Sequence, residues 1–116
     1  MTWTIEFHPE FVPEFDDYSV HVQAEILKLA TALETTGPRL GRPHADTLSG
    51  SKLKNLKELR FKEGRSEWRV AYIFDPSRKG ILLCGGSKSG MSQVLFYDTL
   101  IATAEKRYGT HLKGYK

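Results

Sequence analysis

Trp68-Arg69-Val70-Ala71-Tyr72-Ile73-Phe74 is the stretch on which the fold turns. Trp68, Val70, Tyr72 and Phe74 fall on one side of a period-2 repeat, and Arg69, Ala71 and Ile73 fall on the other. Large β-branched and aromatic residues in strict alternation predict a strand with one apolar face and a second face that carries an arginine. Two similar segments flank it. Leu56 to Phe61 precedes it across Glu63-Gly64, and Ile81 to Cys84 follows it across Asp75-Pro76 and Gly80. Turn residues at those junctions predict an antiparallel meander.

Outward from the meander the pattern changes period. Near the start, Trp3, Ile5 and Phe7 alternate with Thr4 and Glu6, which predicts a short strand ended by His8-Pro9. Val22, Ile26, Leu29 and Leu33 lie on one helical stripe, with Asp16 or Asp17 as its cap and Gly37-Pro38 as its stop. Arg39 to Gly50 carries Gly41, Pro43 and Gly50 with no period and is expected to be a loop. Beyond Gly85-Gly86 and Gly90, Ser92 is placed to cap a last helix with Val94, Tyr97, Ile101, Ala104 and Tyr108 on one stripe, ending at Gly109. The order β-α-β-β-β-α predicts an α+β fold, a small antiparallel sheet with helices packed on it.

At 116 residues, with 40% hydrophobic and 27% charged residues, residues 1–116 are expected to form a single globular domain. Met1 to Glu6 lacks the basic and apolar regions of a signal peptide, and no apolar run reaches membrane-spanning length. One cysteine, Cys84, precludes an internal disulfide, and its apolar neighbours Ile81-Leu82-Leu83 predict a core position. These features together predict a cytoplasmic protein with no membrane partner.

Charge is segregated along the chain. Residues 1–38 hold seven acids and one base, whereas residues 39–116 hold seven acids and sixteen bases. Twelve of those bases lie between Arg39 and Lys88. Such a density of cation suits a polyanion, because each phosphate contact releases condensed counterions; a merely solvated basic surface is the alternative. No phosphate-binding P-loop is present, since Gly85-Gly86-Ser87-Lys88-Ser89-Gly90 lacks the glycine spacing. His8, His21, His44 and His111 are scattered, so neither a metal nor another cofactor is expected. Arg60 alternates with Leu59 and Phe61, and Arg69 with Trp68 and Val70, so a meander brings both guanidinium groups to one sheet face, with Lys88 at the end of the third strand. Three cations around one phosphodiester would stabilise the extra charge of a pentacoordinate transition state. The alternative is that Glu58, Glu67 and Asp75 hold these cations in salt bridges.

From Leu40 onward the chain resembles the HigB branch of the RelE/ParE toxin superfamily. The stretches that carry the resemblance are Leu40-Gly41-Arg42-Pro43-His44, Asp46-Thr47-Leu48, Leu56-Lys57-Glu58-Leu59-Arg60, Trp68-Arg69-Val70, Phe74-Asp75-Pro76 and Leu83-Cys84-Gly85-Gly86-Ser87-Lys88. Phe96-Tyr97, Ala104-Glu105, Tyr108 and His111-Leu112 follow in the same order. The resemblance implies the toxin of a type II toxin–antitoxin pair, a ribosome-dependent mRNA endoribonuclease that uses 2′-hydroxyl attack without metal. It implies a helix-turn-helix, HigA-like antitoxin bound in a hetero-oligomer, with the ribosome and mRNA as the other partners. By motif, Arg60 and Arg69 hold the scissile phosphate. Lys88 is a further phosphate ligand or the proton donor to the leaving oxygen. Tyr97 is a general acid or base, a stacking platform, or a packing residue of the last helix. Arg42, Lys52, Lys54 and Lys57 are expected RNA contacts. The sequence departs from RelE at Leu56 and Glu58, where RelE carries lysines, so the base is left open; Glu58 is either that base or a structural partner of the arginines. Two other readings share the fold: a ParE-like gyrase poison, and a non-catalytic nucleic-acid-binding regulator.

Overall fold

A computed structural model of the chain describes residues 2–114. Five strands form one sheet: β1 (Ile5–Phe7), β2 (Ala45–Thr47), β3 (Lys57–Glu63), β4 (Ser66–Phe74) and β5 (Gly80–Ser87), in the spatial order β1-β5-β4-β3-β2. Helices α1 (Phe11–Asp16) and α2 (Val20–Thr36) cover one face, and α3 (Gln93–Leu112) covers the other. The architecture is the expected α+β one.

The alternation in β4 sets both layers. Val70 and Tyr72 pack with Phe11, Val22, Ile26, Leu33, Leu59 and Leu82 beneath α1 and α2, with Trp68 and Phe74 at the margin of that cluster. Ala71 and Ile73 pack on the other face with Leu56, Ile81, Leu83, Phe96 and Leu100 beneath α3. β3, β4 and β5 form the expected antiparallel meander, and the β3–β4 turn uses Gly64 at φ 62°, a conformation that costs glycine little. In the β4–β5 ladder the register passes from Tyr72↔Leu82 to Ala71↔Cys84, so Leu83 is an extra residue. This bulge turns both Leu83 and Cys84 towards α3.

Several expectations need correction. β1 pairs parallel with β5, so the sheet is not wholly antiparallel. The stretch Arg39–Gly50, expected as loop, contains a 3-10 turn end at Arg39 and the edge strand β2, which pairs with the start of β3. Asp16 and Asp17 do not cap α2, because they close the additional short helix α1; the Ser19 hydroxyl caps α2 by accepting from the Val22 amide. Gly37 does end α2, at φ 69°, and a Cβ there would run into the Trp3 indole. Ser92 caps α3 as expected, but the helix runs past Gly109 to Leu112. Val94 is 72% exposed rather than buried, because the first turn of α3 faces solvent along the groove, and Phe96 and Leu100 take the core positions.

Cys84 is buried, its thiol donates to the Leu100 carbonyl at 3.4 Å, and burial pushes its pKa up to about 12. The thiolate is the reactive form, so at pH 8 an alkylating reagent should label Cys84 only in urea-unfolded protein. Rapid labelling of the native state would contradict this placement.

Candidate functional site

The register of the meander sets Arg60 of β3 directly opposite Arg69 of β4, on the face covered by α3. Glu58 lies two residues before Arg60 on the same face, and Tyr97 reaches down from the second turn of α3. These four side chains form one network. The Arg60 Nη1 donates to Glu58 Oε2 at 2.7 Å, the Tyr97 hydroxyl donates to Glu58 Oε1 at 2.9 Å, and the Arg69 Nε donates to the Tyr97 hydroxyl at 3.1 Å. Arg69 Nε is also 3.6 Å from Glu58 Oε1. Glu58 is therefore the hub of the site.

The two arginines are not equivalent. The Arg60 side chain is 21% exposed, whereas that of Arg69 is 3% exposed. Arg69 spends its remaining donors on the Trp68 carbonyl at 2.8 Å and Glu67 Oε1 at 3.1 Å. Both sequence readings of the arginines thus share one geometry: they reach one sheet face, and they are held there by Glu58 and Glu67. Asp75, the third acid considered, bonds instead to Ser77, Lys79 and His111 at the far end of β4. The Arg69 hydrogen bond holds the Glu67 carboxyl below the usual carboxylate range. Partial burial is the main cause that raises the Tyr97 hydroxyl pKa; the bond from Arg69 opposes it and the bond to Glu58 adds to it. Tyr97 is consequently protonated at neutral pH.

Lys88 follows β5, where its amide donates to the Glu67 carbonyl at 2.8 Å and its Nζ lies 5.4 Å from the centre of the Tyr97 ring. Tyr97 itself serves two purposes. Its ring packs on the α3-side core and stacks edge-on against Phe96, with centroids 5.2 Å apart, while its hydroxyl joins the network. Between β2 and the start of α3 runs a groove of about 450 Å³ with Glu58, Arg60 and Tyr97 along its floor and Arg42 and Asp46 on its rim. Arg42 is 66% exposed and paired with Asp46 at 2.8 Å. That hydrogen bond holds the Asp46 carboxyl below its usual range.

The other expected RNA contacts scatter. Lys52 and Lys54 are exposed on the loop before β3, and the Lys52 backbone is tied to Glu105, about two turns along α3 from Tyr97. Lys57 lies on the opposite sheet face, where its Nζ donates to the Pro38 carbonyl at 2.8 Å. Alternation about Leu59 contained that signal. Asp46, quoted in the sequence only as part of Asp46-Thr47-Leu48 and with no role, also lines the groove, as do Gln93 and Asp98, which no local motif marks. Among the described residues no group of three His, Cys, Asp or Glu side chains is assembled in a way that could hold a metal ion. No described helix is long and apolar enough to cross a membrane.

Comparison with known proteins gives the fold and the family. E. coli toxin RelE, as a mutant in the free state, superposes with a TM-score of 0.59 at 14% identity, over 88% of this chain and 96% of that one. A chain of the Mycobacterium tuberculosis toxin–antitoxin complex RelBE2 gives 0.57 at 13% identity, over 75% and 99%. The archaeal RelE–RelB complex from Pyrococcus horikoshii OT3 gives 0.55 at 18% identity, over 78% and 99%. At such identities the likeness concerns fold alone. In sequence, two proteins of M. tuberculosis (strain ATCC 25618 / H37Rv) named as candidate toxins are much nearer. HigB2 is 46% identical over 81 residues and HigB3 is 43% identical over 75. These matches take in 69% and 65% of this chain but only 40% and 63% of the relatives' own lengths. A family model described as phage-derived protein Gp49-like (DUF891) matches residues 13–109. The chain belongs to this Gp49-like family, is similar to HigB2 and HigB3 over part of their length, and shares the fold of the RelE toxins.

Proposed function

We propose that this chain is the toxin of a type II toxin–antitoxin pair and that it cuts mRNA on the translating ribosome. The observation that carries the reading is the Arg60–Glu58–Tyr97–Arg69 network, of which Arg60, Glu58 and Tyr97 lie at the floor of a groove bordered by the exposed Arg42. A nuclease needs a group to accept the 2′-hydroxyl proton, cations for the phosphorane charge and a donor for the leaving oxygen, and these residue types meet here. In the proposed reaction, the scissile phosphate draws Arg60 away from Glu58, and Glu58 Oε2 then accepts the 2′-hydroxyl proton. The 2′-oxygen bonds to phosphorus, the bond to the 5′-oxygen breaks, and Lys88 protonates that oxygen. The products are a 2′,3′-cyclic phosphate and a 5′-hydroxyl. Arg69 is a positioning residue that orients Tyr97 and Glu58 from beneath.

The ribosome enters because the resting site is closed on itself: Glu58 is bonded to Arg60 and Tyr97, and of the network's two arginines Arg60 alone offers a partly exposed guanidinium. Holding mRNA in a near-attack geometry is what a ribosomal A site can add. The protein encoded beside this chain, a helix-turn-helix antitoxin in this reading, keeps it silent.

The deciding experiment is brief induction followed by mapping of mRNA 5′ ends. Cuts within translated codons are expected, whereas purified protein alone should cut naked RNA slowly, with association that weakens as salt rises. Efficient, salt-insensitive cleavage of naked RNA would refute the ribosome dependence. DNA double-strand breaks without RNA cuts would replace the nuclease by a gyrase poison.

A further inference from the structure

Ala104-Glu105 is one of the stretches that carry the family resemblance, and the proposed reaction gives it no part. Glu105 stands on α3 four residues beyond Ile101 and eight beyond Tyr97, so the three side chains share one helix face. Tyr97 and Ile101 line the groove, and Glu105 is the next residue on that face. One of its carboxylate oxygens takes two bonds from the loop between β2 and β3. Oε2 accepts from the Ser51 hydroxyl at 2.7 Å and from the Lys52 amide at 3.1 Å. The Ser51 oxygen in turn accepts from the Leu53 amide at 3.0 Å, which folds the loop about the same point. On either side the loop is held by Leu48, whose amide bonds to the Leu56 carbonyl, and by Leu53, packed on the α3-side core. Between them, among the described residues, the hydrogen bonds that tie residues 49–52 to another element both go to Glu105.

The segment held in this way is a wall of the groove. Ser49 and Gly50 line it together with Val94 and Ile101, and Ile101 Cδ1 would stand 3.8 Å from a Cβ placed on Gly50. Next to the wall, the Lys52 side chain is exposed while its backbone is fixed by the Glu105 carboxylate. The Ser51 hydrogen bond is the main cause that holds the Glu105 carboxyl below the usual carboxylate range, so at neutral pH the latch is a charge-assisted one.

We propose that Glu105 is a positioning residue: it fixes the 49–52 loop as the wall against which the mRNA strand lies, and thereby sets Lys52 for a backbone phosphate of that strand. The inference deepens the nuclease reading and rests on it. A loop formed for only part of the time presents a binding-competent groove for that fraction, and the apparent affinity falls by the same fraction. Glu58, Arg60 and Tyr97 are held by their own network and do not depend on the loop. Loss of the latch therefore belongs in KM and not in the rate at saturation.

The test is single-turnover cleavage on programmed ribosomes with the full chain titrated, which reads KM apart from the saturated rate. Glu105→Ala should raise KM about tenfold and leave the saturated rate within about twofold of wild type. Ser51→Ala, which loosens the latch from the loop side, should raise KM about threefold, and it carries the test if Glu105→Ala fails to fold. Glu105→Gln keeps an acceptor oxygen for both bonds, so its KM should stay within about threefold of wild type. Lys52→Ala should raise KM about threefold alone but less than about 1.5-fold on top of Glu105→Ala, because an unfixed loop no longer places its ammonium. A saturated rate that falls while KM stays constant would assign Glu105 to the chemistry and overturn the positioning role. Unchanged KM in folded Glu105→Ala overturns this proposal alone and leaves the nuclease reading standing. An equal effect of Lys52→Ala in both backgrounds overturns the setting of Lys52 by the latch. A wild-type chain that cuts no ribosome-bound mRNA overturns the nuclease reading and this proposal together.

Discussion

Arg69→Ala is expected to cost about 3 kcal/mol of folding stability and to lower mRNA cleavage even where the variant is folded. Removing one member of a buried ion pair costs about 3–5 kcal/mol in general, and the lower end applies because Glu58 keeps Arg60 and Tyr97. Against a total of about 5–15 kcal/mol for a domain, this is a large fraction. The loss has three sources: the Tyr97 hydroxyl and the Trp68 carbonyl each lose a donor, Glu67 loses its partner, and a space the size of a guanidinium opens beneath α3. Urea unfolding gives the stability, and primer extension on translated mRNA gives the activity. Arg69→Lys separates charge from geometry. It restores a cation but not the fork that reaches Tyr97, Trp68 and Glu67 together, so it should recover less than half of the stability. Full stability in Arg69→Ala would mean that the network is not buried as described.

This expectation also marks where sequence reading stops. Alternation in Trp68–Phe74 gave the correct sheet face for Arg69, because a period of two is local geometry. It could not show that α3 would cover that face. Burial of Arg69 depends on Tyr97, 28 residues away, whose place on the helix stripe was legible while its hydroxyl partners were not. β2 illustrates the same limit. Ala45-Asp46-Thr47 has little strand propensity, and it is extended because β3 offers it an edge. The parallel pairing of β1 with β5 joins residues some 75 positions apart and leaves no trace in either segment. Lys57 was legible in principle: it shares a face with Leu59, and Leu59 belongs to the core under α2. Glu58, by the same alternation, had to share a face with Arg60, and the two readings open for it were base and partner. In the resting structure it is the partner of Arg60 and Tyr97.

Arg60→Ala is expected to lower cleavage by about 100- to 1000-fold and to cost some stability, since it leaves the buried Glu58 without its 2.7 Å partner, but less than Arg69→Ala, whose guanidinium is itself buried. The physical basis is exposure. Arg60 is the network's partly exposed cation, so its removal withdraws a donor from the phosphate while Glu58 retains the Tyr97 hydroxyl and the nearby Arg69 guanidinium. In the proposed mechanism Arg60 has two duties: it neutralises Glu58 at rest and transfers to the phosphate during reaction. Arg60→Lys keeps a charge for the phosphate but replaces a bidentate fork by a point charge, so it should recover part of the rate and not all of it. Glu58→Gln tests the other half. Its amide oxygen can still accept from Arg60 and its NH2 can donate to the Tyr97 hydroxyl with little change in shape, yet it has no proton affinity for the 2′-hydroxyl, so cleavage should fall as far as in Arg60→Ala. Single-turnover cleavage on programmed ribosomes, read alongside urea midpoints, resolves the cases. If Glu58→Gln cleaves at the wild-type rate while Arg60→Ala does not, Glu58 is a structural anchor and the proton is taken by another group in the groove. If both cleave normally, the floor of this groove is not where the phosphodiester is broken.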